Sequence, residues 1–257
     1  MSWRAVTDPY RIPITVDSIA GAGSIDVSAT IPPTLEAFWS KVAAAGADVY
    51  LTDADGYTPV TYQLGAGFVI ATKVGTVEVD NWTSPAAAMC QLWLYWGSGG
   101  ATAAGSFVAA APKTGYIDGS NPGTNPHRVA AVVERPGDNR PRARLSKKAA
   151  EEILVDWDLR GVLLGRMDAF AGSKRDEEVK YASYQVLDSA GSAVAGMVSA
   201  SSLRFIADGW IRTLVKAGTA AQDYTIALTV VTVGAGGQSR TLVFRAGLQV
   251  RDVAMSN

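Results

Sequence analysis

"QDYTIALTVVTVGAGGQSRTLVFRAGLQVRD" occupies residues 222–252. Two long runs rich in β-branched residues flank "GAGGQ". In the second run Leu242, Phe244 and Ala246 alternate with Val243 and Arg245. Period two places successive side chains on opposite faces of a strand, and a glycine-rich connector between two such runs predicts a hairpin. Upstream, "ASYQVLDSAGSAVAGMVSA" and "SLRFIADGWIRTLVKAG" are further β-prone runs broken by turn signals. Short strands at this spacing predict a β-sandwich of immunoglobulin type.

The N-terminal part has the same character. "RIPITVDSIAGAGSIDVSATIPP" reads as two strands around a turn at Gly21–Gly23, and "LEAFWSKVAAAGA" as a short helix ended at Gly46. "DVYLTD" and "TPVTYQL" flank a turn. In "TVEVDNW", Val77 and Val79 alternate with Glu78 and Asp80, which predicts one buried and one wet face. "QLWLYWG" is too apolar for a half-exposed strand and reads as a central one ending at Gly97.

Between these parts, residues 98–144 contain "GSGGATAAG", "GSNPGTNP" and "RPGDNRPR", and periodicity fades apart from a β-prone run at "HRVAAVVE". The division expected is a sandwich over 1–105, an extended basic arm over 106–146 and a second sandwich over 147–257, with Ser146 capping a short helix through Leu154. The 257 residues carry a net charge of −1, but unevenly: residues 1–105 sum to −5, residues 106–150 to +5 and residues 151–257 to −1. The arm therefore supplies the candidate partner-binding residues Arg128, Arg135, Arg140, Arg142, Arg144, Lys147 and Lys148. It lacks the interleaved aromatics of a nucleic-acid binder, and docking on an acidic protein surface fits its chemistry. One cysteine, Cys90, allows no internal disulfide. The N-terminus has no apolar stretch of secretory type, and no window is apolar enough to span a membrane.

Catalytic and metal chemistry find little footing. "DADG" places Asp53, Asp55 and Gly56 together, but an EF-hand would need Gly at position 6 and Glu at position 12, so a turn is the better account. The single histidine, His127, sits in a Pro/Asn loop, away from Cys90 in sequence. The paired acids of "DWD" (Asp156, Asp158) and "RDEE" (Asp176 to Glu178) lie in unrelated segments. No enzyme, cofactor or metal is expected. Trp82, next to Asp80 and Asn81, is the best candidate for a sugar-stacking aromatic, although core packing is the plainer expectation for it.

Two resemblances cover most of the chain. "YRIPITVD", "DVYLTDADGYTPVTYQL", "VEVDNW" and "QLWLYWGSGG", in that order, resemble a β-sandwich domain found in phage and cell-surface proteins, with concanavalin-like or jelly-roll relatives. "EEILVDWDLRGVLLG" and "ADGWIRTLVKAGTAAQDYTIALTVVTVGAGGQSRTLVFRAGLQVRD" are similar to an immunoglobulin-like domain of tailed-phage head proteins. There Trp157 would anchor the first strand and Tyr224 would form a tyrosine corner. The segment "AFAGSKRDEEVKYAS" departs from that pattern. The resemblance implies a structural virion protein on the capsid exterior. It would decorate and cement the shell by contact across subunits of the major capsid protein, as a homo-oligomer, with a trimer implied by the decoration proteins it resembles. The alternative it leaves open is a tail or receptor-binding protein with a carbohydrate-binding first sandwich.

Overall fold

The computed structural model describes residues 10–17, 23–84, 89–97, 112–120, 125–131, 143–163, 177–198, 203–234 and 237–251. The fold is all-β. In the N-terminal half, β1 (Tyr10–Val16), β2 (Gly23–Thr30), β3 (Tyr50–Thr52), β4 (Tyr62–Leu64), β5 (Thr76–Ser84), β6 (Met89–Trp96) and β7 (Lys113–Tyr116) are joined in the order β4-β5-β2-β7-β1-β6, and β3 also pairs with β6. A bridge between Thr52 and Pro59, with Val60 N–H donating to the Leu51 carbonyl at 3.1 Å, ties β3 to the segment entering β4. The sheet thus curls round a core containing Ile14, Phe38, Val77, Val79, Leu92 and Leu94.

All eight residues of β6 are buried. Side chains alternate across a strand, so Leu92, Leu94 and Trp96 point to one side and Gln91, Trp93 and Tyr95 to the other. Both sides are covered because β6 also meets the second half of the chain.

That half contains β8 (Arg128–Ala130), β9 (Ala143–Lys148), β10 (Ile153–Asp158), β11 (Glu177–Leu187), β12 (Arg204–Ala207), β13 (Trp210–Val215), β14 (Gln222–Gly234) and β15 (Thr241–Arg251). Strands β11, β14, β15 and β9 continue the first sheet, while β12, β13, β10 and β8 form a separate four-stranded one. Between them lies a second core with Val155, Trp157, Phe205, Ile226, Leu228 and Phe244. The last hairpin forms as its periodicity predicts: Leu242, Phe244, Ala246, Leu248 and Val250 are buried, and the residues between them are not. The Tyr224 hydroxyl accepts the Thr219 N–H at 3.0 Å, the loop tie expected of a tyrosine corner.

Several expectations are corrected. The stretch 106–146 does not lie wholly outside the sheets. Its described residues include β7, wedged between β1 and β2, then β8, and the start of β9. Consequently β1 and β2 do not pair with each other. Gly115 permits the wedge: a Cβ there would lie 2.9 Å from Ala29 Cβ and 3.0 Å from Ile14 Cγ2. The two halves also share one sheet, because Cys90 and Met89 of β6 pair with Tyr181 and Ala182 of β11. No helix begins at Ser146; that residue lies within β9, parallel to β15. Leu145 and Lys147 turn inward there, Arg144 and Lys148 outward, a two-residue period that a helix cannot satisfy. The helix expected over 35–47 is reduced to α1 (Glu36–Trp39); the chain is extended at Ala43 (φ −67°, ψ 161°), and Ala45 and Gly46 adopt φ of 56° and 71°, so the helix does not run on to 47.

Candidate functional site

The seven basic residues singled out by the sequence separate by environment. Arg135, Arg140 and Arg142 lie outside the described residues. Arg128 is engaged within the fold: it pairs with Asp158 at 2.9 Å and its guanidinium lies 4.8 Å from the Trp210 ring centre. Lys147 is buried, and its Nζ donates to the carbonyls of Lys148 (2.8 Å), Ala149 (3.3 Å) and Glu151 (2.7 Å). Burial pushes its pKa down. This lysine holds the turn between β9 and β10 and is not presented to a partner.

Arg144 and Lys148 are exposed on the outer face of β9. Register places Arg144 beside Gly247, Ser146 beside Gln249 and Lys148 beside Arg251 on β15. Arg245 shares that face two residues before Gly247. Four cations from two strands therefore share one surface. Sequence reasoning about the arm missed Arg245 and Arg251. Their signal lay in the alternation of the last strand, where both fall between the buried positions.

Because Gly247 has no side chain, a groove of about 350 Å³ opens over it. Arg144 and Ser146 stand on one side, Asp223 and Thr225 on the other, with Asp188 and Arg251 also lining it. Asp188 is committed to its own turn, accepting the N–H groups of Ala190 (2.9 Å) and Ser192 (2.8 Å). The groove is polar, with its cations concentrated toward β9.

Of the paired acids, Asp156, Asp158, Glu177 and Glu178 are taken up inside the fold, and Asp176 lies outside the described residues. Asp156 is fully buried and holds Arg212 through two hydrogen bonds, of 2.6 and 2.9 Å. Asp158 accepts from Arg160 at 2.8 Å and from Arg128; hydrogen bonds from these arginines outweigh the opposing effect of burial and hold its pKa at about 2. Glu177 pairs with Arg240. Glu178 pairs at 3.0 Å with Arg11, which also meets Asp208 at 2.8 Å and lies 3.9 Å over the Trp93 ring. Burial alone would lower the Arg11 pKa, but Glu178 and Asp208 outweigh it and raise it. Arg11 belongs to β1, Glu178 to β11 and Asp208 to the β12–β13 turn, so this cluster joins the two halves.

The "DADG" stretch is a turn closed on itself. Asp55 Oδ1 accepts the N–H groups of Tyr57 (2.8 Å) and Thr58 (2.9 Å), and Asp53 Oδ1 accepts those of Ala54 (2.7 Å) and the Trp82 indole (3.2 Å). Burial raises the Asp53 pKa. Trp82 is 5% exposed and packs in the first core, so it offers no face to a sugar. Cys90 is buried within β6, and the His127 carbonyl accepts the Asp156 N–H at 2.9 Å.

No protein-family model matches the chain, and no curated protein matches it. Among solved structures, that of SporoSAG from Toxoplasma gondii aligns with 90% of this chain and 94% of its own, at 12% identity and a TM-score of 0.23, a likeness too low to carry an argument. The resemblances to phage domains rest on the residues quoted for them.

Proposed function

We propose that this chain is a structural, adhesive protein that holds a protein partner through the outer face of β9 and β15. The observation that carries this reading is the gathering of Arg144, Lys148, Arg245 and Arg251 on one sheet face beside a polar groove. Cations on a rigid sheet steer an acidic surface into place and set the register of contact. In its particular form the reading is a head decoration protein of a tailed bacteriophage, bound to the capsid exterior across subunits of the major capsid protein, as a homo-oligomer and by non-covalent contact alone. Two features support it besides the sequence resemblance. The C-terminal strands fall in the order β12-β13-β10 against β11-β14-β15-β9, as in an immunoglobulin-type sandwich, and Tyr224 makes the corner bond such sandwiches use. The curled N-terminal sheet is compatible with a jelly-roll-like partner domain.

Quantitative mass spectrometry of purified virions tests the particular reading through this chain's copy number relative to the major capsid protein. Hundreds of copies per particle are expected. A handful would move the chain to the tail, and absence would overturn the virion reading. Capsid binding should weaken in Arg144→Glu/Lys148→Glu with the fold intact, since both side chains are exposed. Deletion of 128–145 is a poorer test, because it removes β8 and the start of β9.

A further inference from the structure

Strand β9 ends the eleven-stranded sheet and, among the described residues, pairs on one side only, with β15. The opposite end, β4, has three residues, and the chain just before it is tied to β3. With six residues, β9 is the longer terminal strand. An edge strand leaves alternate N–H and C=O groups without a ladder partner, a template for another extended chain. Here the open stretch stops short of the Lys148 backbone, whose N–H donates to the Glu151 carboxylate at 2.8 Å and whose carbonyl accepts the Glu151 N–H at 3.1 Å, while its side chain stays exposed.

Charge selects the occupant. On the groove side β9 presents Arg144, Ser146 and Lys148, two cations four residues apart with a small polar residue between them. Side chains directly opposite each other on adjacent strands interact, favourably for unlike charges and unfavourably for like ones. Two copies meeting antiparallel through β9 would set Arg144 against Lys148, so the edge opposes self-association. A polyphosphate backbone laid along the groove would pass Asp223 and Asp188. A peptide with few, spaced carboxylates and its own N–H donors meets the cations and avoids both penalties.

Resting on the adhesive reading above, we propose that the outer edge of β9 accepts an extended acidic segment of the partner protein as an added strand, with carboxylates at positions i and i+4 of that segment set against Arg144 and Lys148. Those two carboxylates fall on one face of the added strand, about 13 Å apart at the usual rise per residue. Carboxylates at i and i+3 would fall on opposite faces, and only one could meet the cations.

The test uses the full chain and two capped peptides of identical composition, Ser-Val-Glu-Val-Ser-Val-Glu-Val-Ser, with its acids at i and i+4, and Ser-Val-Glu-Val-Ser-Glu-Val-Val-Ser, with them at i and i+3. Affinity is measured by NMR titration, together with amide-exchange protection over residues 143–148. The first peptide should bind about threefold tighter or better, as one extra opposite-charge pair allows, and should protect β9 amides. Arg144→Glu/Lys148→Glu should abolish that preference. Equal affinity for the two peptides, binding without protection of β9, or no binding of either would overturn strand addition. A chain abundant on virions that fails here loses this inference alone. One absent from virions that shows the preference loses the phage reading alone.

Discussion

Arg11 shows how a single side chain is constrained by this fold. It is enclosed between Glu178, Asp208 and the Trp93 ring. Removing one partner of a buried ion pair leaves the other charge uncompensated, so Arg11→Met should lower stability by about 3–5 kcal/mol, and Arg11→Met/Glu178→Gln should recover part of that loss. Urea unfolding of the variants checks both. Asp158 gives a pH dependence. Its folded pKa of about 2 lies below the ordinary 3.8, so the folded state binds the proton more weakly than the unfolded one. The stabilisation is complete above 3.8 and is lost as pH falls from there toward 2. Asp158→Asn should flatten that part of the stability profile, as read from denaturation midpoints across the window. Tyr224→Phe keeps the ring and removes the acceptor for the Thr219 N–H, so a loss of about 0.5–1.5 kcal/mol is expected in the same assay.

At the level of elements, β7 is the wedge on which the first half depends, and Gly115 is its tightest point. A methyl group there would press on Ala29, Ile14 and Val27, so Gly115→Ala should destabilise the protein by about 1–3 kcal/mol, measurable by thermal unfolding. The elements legible in the sequence were those with a strong two-residue period or uniform apolarity: β5 with Val77 and Val79, β6, and the β14–β15 hairpin. Strand β7, "KTGY", has neither; what makes it a strand is the gap between β1 and β2, a tertiary fact absent from its own residues. Likewise "SKKAAEE" contains good helix formers, but pairing with β15 and the inward turn of Lys147 override local propensity. Half of the candidate surface was legible for the same reason. Arg144 and Lys148 stood out as part of a basic run, whereas Arg245 and Arg251 become their neighbours only through a parallel pairing across the C-terminal half.

For the molecule as a whole, the boundary read at residue 105 separates β7 from the sheet it completes. A fragment ending at 105 should show poor dispersion of its amide resonances, and one ending at 120 should be better ordered, because only the longer carries the partner that β1 and β2 share. A well-folded 1–105 fragment would show the wedge to be dispensable. The shared sheet and the Arg11 cluster also bind the halves together, in contrast to two sandwiches separated by a free arm.

Strand β6 is paired along one edge with β1 and along the other with β3 and then β11. Its N-terminal partner is made early in synthesis, whereas β11 leaves the ribosome only after some ninety further residues have been added at roughly 5–20 per second. Until then the edge at Met89 and Cys90 lies bare, at the start of a strand whose every residue is buried in the finished fold. A nascent chain in that condition is what holdase chaperones recognise. The pairing that carries one sheet across both halves of the finished protein therefore makes its half-made form the stage most exposed to misassociation.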